Sequence, residues 1–179
     1  MQISLIYKSY SSRLAMSKNI RNLEPKPEFV NRINKQLKDK QDQEEFWKMS
    51  KTRTRTSIRC NTLKIQPEIL KKQLEDKYDW KIAQPFKDYP EIMIMESQLQ
   101  PGEIGKAHEH LLGYYYVQEI ASMMPILTLK PTKQDSFLDL CASPGSKTTQ
   151  AAAKMENQGI LIANDKNLGR LMILAANLE

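Results

Sequence analysis

Residues 137–150 read FLDLCASPGSKTTQ: a short apolar run, FLDL, breaks into a Pro/Gly/Ser loop, and a helix-forming stretch starts directly after it. This is the outline of a strand-loop-helix unit whose loop presents a nucleotide-like ligand to a helix N-terminus. A second apolar run at residues 159–165, GILIAND, follows a helical spacer and ends in a carboxylate. Asp165 stands twenty residues beyond Gly145, the spacing at which a βαβ unit sets an acidic side chain on the ribose hydroxyls of its ligand. The segment therefore predicts a cofactor site at the start of a doubly wound α/β domain.

Two common phosphate loops fail on inspection. A Walker loop needs glycine at positions 141 and 146, where this chain has Cys141 and Ser146. The dinucleotide fingerprint G-x-G-x-x-G fails as well, because Gly145 is the single glycine of the loop. One glycine lets the backbone approach a small ligand but shapes no pyrophosphate cradle, so a ligand with a ribose and no phosphate fits better. The competing reading is a plain Pro-Gly turn joining strand to helix.

The stretch LDLCASPGSKTTQ resembles the first cofactor motif of the Sun-type (Nol/Nop/Sun) RNA cytosine-carbon-5 methyltransferases, D-x-C-A-A-P-G-[GS]-K-T, with Ser143 in place of alanine. Residues 57–64, SIRCNTLK, resemble the family's [ST]-x-R-V-N-T-L-K, with Cys60 in place of valine. Residues 113–125, GYYYVQEIASMMP, resemble the segment preceding the cofactor domain. Residues 163–171, ANDKNLGRL, resemble the second motif, especially of archaeal-type members. The four blocks follow the family order. The resemblance implies S-adenosylmethionine as cofactor, held by Cys141, Ala142, Ser143, Pro144, Gly145, Ser146 and Lys147, with Asp165 on its ribose and Arg170 close by. Leu140 and the Pro144 turn would shape the approach.

Composition agrees with a nucleic-acid partner without requiring one. The 179 residues carry a net charge of +6, which suits a polyanion and would equally suit solubility. Two cysteines, Cys60 and Cys141, provide neither a disulfide framework nor metal-ligand spacing. No apolar run approaches the ~18 residues of a membrane span. The expectation is a monomer of a reducing compartment with no metal, placed in the cytoplasm, with nucleolus or mitochondrion as eukaryotic alternatives. The first 23 residues hold Lys8, Arg13, Lys18 and Arg21 but no acid, which reads as a transit peptide or, preferably, as an early start ahead of Met16.

From Pro27, the residues Phe29, Val30, Ile33 and Leu37 fall at helical spacing, residues 38–45 are a polar helix or loop, and Phe46, Trp47 and Met49 return to a core. Residues 51–64, KTRTRTSIRCNTLK, alternate as a half-buried strand does. Ile58 and Cys60 belong to the packed face, and Lys51, Arg53, Arg55, Arg59 and Asn61 to an exposed one. Such a row can neutralise phosphates, and Arg59 and Asn61 can also donate to bases or sugars. A merely solvated face is the alternative, and the family resemblance favours RNA. Pro67 opens a helix buried through Ile69, Leu70 and Leu74, and residues 80–83 and 91–95 read as strands. The resemblance implies an RNA-recognition-like domain here.

The expected organisation is an extension at residues 1–26, a helical cap with a small α+β domain at 27–100, and the first part of a Rossmann-like methyltransferase domain at 101–179. The boundary falls at Gln100-Pro101-Gly102. His108 and His110 lack a third ligand. Of Tyr114, Tyr115 and Tyr116, at least one should be buried and at least one available for stacking. Gln118 and Glu119 are placed to order the entry to the loop.

Cytosine carbon 5 is a poor nucleophile, and the usual remedy is a low-pKa thiolate that adds to carbon 6 of a flipped base. Family members supply it from motifs beyond the second cofactor strand. Neither Cys60, on a packed strand face, nor Cys141, at a cofactor-loop position, substitutes for it. The expectation is therefore the N-terminal part of an RNA methyltransferase, inert alone, with tRNA preferred to rRNA as the parent's substrate. The alternatives are a non-catalytic RNA-binding module with a partial cofactor pocket, or another Rossmann enzyme such as an oxidoreductase.

Overall fold

The computed structural model describes residues 24–52 and 54–178. They fall into two compact units that divide between Thr54 and Arg55. The basic N-terminal segment and Arg53 lie outside the described residues.

The first unit is a helix pair. Helix α1 (Pro27–Gln36) starts on a proline, where the missing N–H costs nothing, with Glu28 in the first turn and Lys35 in the last. Helix α2 (Lys40–Ser50) is capped by Asp39, whose carboxylate accepts from the Gln41 N–H at 2.6 Å. The polar stretch at 38–45 is thus largely helix. Trp47 joins the two helices: its Nε1 donates to Asn34 Oδ1 at 3.1 Å, and its ring meets Phe29 and Phe46 edge to face.

The second unit holds two sheets. The first is antiparallel, with strands β1 (Ser57–Cys60), β2 (Ile82–Ala83), β3 (Ile92–Met95) and β4 (Tyr115–Val117) in the order β2-β3-β1-β4. Helix α3 (Pro67–Tyr78) covers one face through Leu70 and Leu74, which join Ile58, Cys60, Met93 and Met95 in the main core. Ile69, expected on that buried side, is 51 % exposed; Pro67, Leu70 and Leu74 form the stripe instead. Short helices α4 (Glu103–Lys106) and α5 (His108–Leu111) lead into β4. Because β4 pairs with β1, this sheet runs past the boundary expected at Gln100-Pro101-Gly102, and the helix pair separates from it before Arg55.

The expected strand over residues 51–64 reduces to Ser57–Cys60, and all four of its residues are buried. The reason is topological. β1 is a central strand, paired with β3 through Arg59↔Ile92 and with β4 through Arg59↔Tyr116. Its second face is covered too: Ile92 packs on Met123 and Leu127 of helix α6 (Ile120–Leu129).

The second sheet is parallel: β5 (Ser136–Asp139), crossover helix α7 (Ser146–Lys154) and β6 (Ile160–Ala163), followed by helix α8 (Leu168–Leu178). This is the βαβ unit predicted from residues 137–165. Its face carrying Leu138, Ile160 and Ile162 is open to solvent.

Candidate functional site

The loop leaving β5 is built by short-range bonds that the FLDLCASPG sequence makes possible. Asp139, the last residue of β5, braces it from both ends: one carboxylate oxygen accepts from the Cys141 N–H at 3.2 Å, the other from Thr148 Oγ1 at 2.7 Å. Sequence reasoning passed over Asp139, although an acid at a strand end facing a Gly/Ser loop is the signal that marks it. The Ala142 N–H donates to Asn164 O at 2.8 Å, tying the loop to the residues after β6. The Ser143–Pro144 peptide is cis. Gly145 takes φ +113° at the N-cap of α7, and a Cβ there would lie 3.0 Å from Leu174 Cδ1. The backbone angle favours glycine, and a Cβ would also crowd the Leu174 side chain. Ala142, Ser143 and Gly145 are buried, Ser146 is half-buried, and Cys141, Pro144 and Lys147 are exposed. Lys147 Nζ donates to Ser122 Oγ at 3.2 Å.

Asp165 lies two residues past β6, buried, with Oδ1 accepting from the Asn167 N–H at 3.0 Å. That bond, the nearby Arg170 guanidinium at 3.6 Å and the Ser143 N–H together hold its carboxyl below the usual carboxylate range against the opposing pull of burial. Arg170 also donates from Nη2 to Ser143 O, and Ser143 Oγ donates to Arg170 O at 2.9 Å. Residues 141–147, Asp165 and Arg170 thus come together beyond the carboxyl ends of two parallel strands, where open α/β sheets take their ligands. The first amides of α7 have no acceptor within the helix and suit a carboxylate. An acidic side chain beside them suits a ribose. The donor set fits an amino-acid nucleoside without phosphate.

The four residues expected to meet RNA do not form one exposed row. Arg53 lies outside the described residues, and Arg55 is exposed. Asn61 is half-buried and committed to a turn: Nδ2 donates to Gly113 O at 3.0 Å, and Oδ1 accepts from the Leu63 N–H. Arg59 is 4 % exposed, so the expected phosphate contact is corrected to an internal role. Its Nη1 donates to Gln118 Oε1 at 2.5 Å and to Ser146 O at 2.6 Å; its Nη2 donates to Thr149 Oγ1 at 2.8 Å. Burial lowers its pKa to about 10, which leaves it charged at neutral pH. Gln118, also buried, passes the chain on to Gln150 Oε1 and Ser122 O, both at 3.2 Å. Its neighbour Glu119 is exposed and makes no side-chain cap on α6.

Among the tyrosines, Tyr115 is buried with its hydroxyl donating to Ile104 O at 2.6 Å. Tyr116 is half-buried, with the Arg59 guanidinium carbon 5.6 Å from its ring centroid. Burial pushes the Cys60 thiol up to about 12, while Cys141 is exposed. Among the described residues no three His, Cys, Asp or Glu side chains are placed to hold a metal, and no helix is long and apolar enough to cross a membrane.

Residues 26–120 match the family described as the N-terminal domain of 16S rRNA methyltransferase RsmF, and residues 126–179 match 16S rRNA methyltransferase RsmB/F. Relatives are bacterial, where the second motif had suggested an archaeal type. Ribosomal RNA small subunit methyltransferase F of Vibrio parahaemolyticus is 38 % identical over 84 % of this chain and 32 % of its own length. Its Shewanella oneidensis counterpart is 40 % identical over the same shares. The chain thus spans about a third of the length of the curated relatives it matches. Among solved structures, a methyltransferase homolog protein from Pyrococcus horikoshii aligns with a TM-score of 0.65 at 26 % identity, over 86 % of this chain and 53 % of that one. NSun6 from the same organism, solved with SFG, shares the fold with a TM-score of 0.72 at 20 % identity, over 85 % and 62 % of the two chains. With an N-terminal module matched over residues 26–120 and the loop at residues 141–147 inside the second match, this chain belongs to the RsmF family of 16S rRNA methyltransferases.

Proposed function

We propose that this chain supplies the N-terminal module and the first half of the cofactor site of an S-adenosylmethionine-dependent methyltransferase that forms 5-methylcytosine in small-subunit rRNA. The observation that carries the reading is the convergence of residues 141–147 and Asp165 beyond the ends of β5 and β6. When bound, the cofactor provides an electrophilic methyl group. The loop amides at the start of α7 would take its carboxylate, and Asp165 its ribose hydroxyls. Arg170 holds Asp165 and the Ser143 carbonyl in place. Neither cysteine serves as nucleophile: Cys60 is buried with a thiol pKa of about 12, and Cys141 is part of the loop.

The relatives' name speaks of ribosomal RNA, so the preference for tRNA drawn from sequence gives way to rRNA, read in the cytoplasm of a bacterial cell. Arg55 provides an exposed cation for the phosphate backbone. Equilibrium binding of labelled S-adenosylmethionine, 16S rRNA fragments and tRNA to the chain tests the proposal. Cofactor binding together with tighter binding of the ribosomal fragments is expected. Protection by a nicotinamide cofactor with no S-adenosylmethionine binding would replace it with an oxidoreductase reading.

A further inference from the structure

Helix α7 is gripped at both ends, by a side chain of β1 and by side chains of the turn that leads into β3. At its C-terminal end Lys154 Nζ sits 2.6 Å from Glu91 Oε1, beside the ring of Tyr89. At its N-terminal end stands Arg59, from the centre of β1. Burying a guanidinium is costly unless its donors find partners, and Arg59 finds them at both terminal nitrogens, while its Nε–H has none. Here two of those partners are loop atoms or lead to them. Nη1 bonds Ser146 O directly. Nη2 bonds Thr149 Oγ1, which itself donates to Gly145 O at 2.7 Å.

Those two carbonyls matter because of peptide planarity. The Gly145 carbonyl shares a rigid plane with the Ser146 N–H, and the Ser146 carbonyl with the Lys147 N–H. Fixing the oxygens fixes the direction of two amides that α7 leaves without internal acceptors. We infer that Arg59 is a positioning residue for the cofactor loop, and that the seating of the N-terminal sheet on α7 sets cofactor affinity. The inference rests on the reading of residues 141–147 as the S-adenosylmethionine loop. The position that sequence alternation assigned to RNA thus acts on the other substrate of the proposed reaction.

The test is calorimetric titration of the whole chain with S-adenosylmethionine, comparing the unsubstituted protein with Arg59→Gln, Thr149→Val and Thr149→Ser. Losing a bond to a charged group should weaken binding on the order of tenfold in Arg59→Gln and Thr149→Val. Thr149→Ser, which keeps the hydroxyl, should restore it to within about twofold. The double variant should lose less than the sum of the two single losses, as expected of groups in one network. The salt dependence of RNA binding should be unchanged in Arg59→Gln, since a buried cation neutralises no phosphate. Unaltered cofactor affinity in Thr149→Val, or a reduced salt slope in Arg59→Gln, would overturn the inference. If Arg59→Gln fails to fold, the two Thr149 variants decide. If the unsubstituted chain binds no S-adenosylmethionine, the loop reading fails. Amide exchange at residues 143–149 then decides the positioning role: faster in Thr149→Val and restored in Thr149→Ser supports it, and no change overturns it.

Discussion

Two cysteines in one chain meet opposite environments, and the contrast can be measured. Cys60 packs at 1 % exposure between β1 and α3 with its thiol donating to Ile65 O, and burial raises its pKa to about 12. Its thiolate is therefore scarce at pH 8, whereas Cys141 lies at the surface. An alkylating reagent at pH 8 should label one thiol per native chain, and Cys141→Ser should abolish that labelling. Rapid labelling of two thiols before unfolding would contradict the buried strand. Asp165 makes a pH prediction. Its carboxyl is held low first by the Asn167 N–H, so its stabilising contribution is complete above the ordinary carboxylate value of about 3.9 and lost as pH falls through the lower folded-state value. Chemical-shift titration of Asp165 should show a midpoint below that of an exposed aspartate; a midpoint at or above it would contradict the hydrogen bonding described.

At the scale of elements, the sequence was most legible where the determining contacts are local. The β5-loop-α7 unit is specified within a dozen residues by an apolar run, Gly145 and a helix former, and it stands where residues 137–150 place it. Strand β1 shows the converse. Its alternation is real, with Ile58 and Cys60 on the α3 side and Arg59 on the other, but alternation does not say whether the second face meets water. What covers it comes from 59 to 90 residues further along, in Gln118, Ser146 and Thr149, and no local pattern announces that. Helix α3 offers the energetic check. Leu74→Ala, at a fully buried position, should cost ~2–5 kcal/mol in urea unfolding. Ile69→Ala, at 51 % exposure, should stay within ~0.5 kcal/mol. Equal losses would mean that the stripe is misassigned. Gly159, at φ +74° and with Asp135 O 2.6 Å from where a Cβ would sit, should not tolerate alanine at the entry to β6.

Across the whole molecule, the described residues pair a well-covered antiparallel sheet with a two-stranded parallel one that is covered on one face. Leu138, Ile160 and Ile162, at 55–57 % exposure, line the open face. Parallel strands ordinarily bury both faces, and exposed apolar patches of this kind attract partners or aggregate. Ile160→Lys with Ile162→Lys should lower binding of a hydrophobic dye and improve solubility while leaving the circular dichroism spectrum unchanged. Loss of the spectrum would show that these side chains are packed. The central claim is that residues 141–147 and Asp165 form a single site for S-adenosylmethionine. Its most direct test is amide chemical-shift mapping of the isotope-labelled chain during titration with that cofactor. The largest shifts should fall at residues 141–147 and 165–167, with smaller ones at Thr149 and Arg59 through the bonds that join them. Shifts centred elsewhere, or none at saturating cofactor, would contradict the claim.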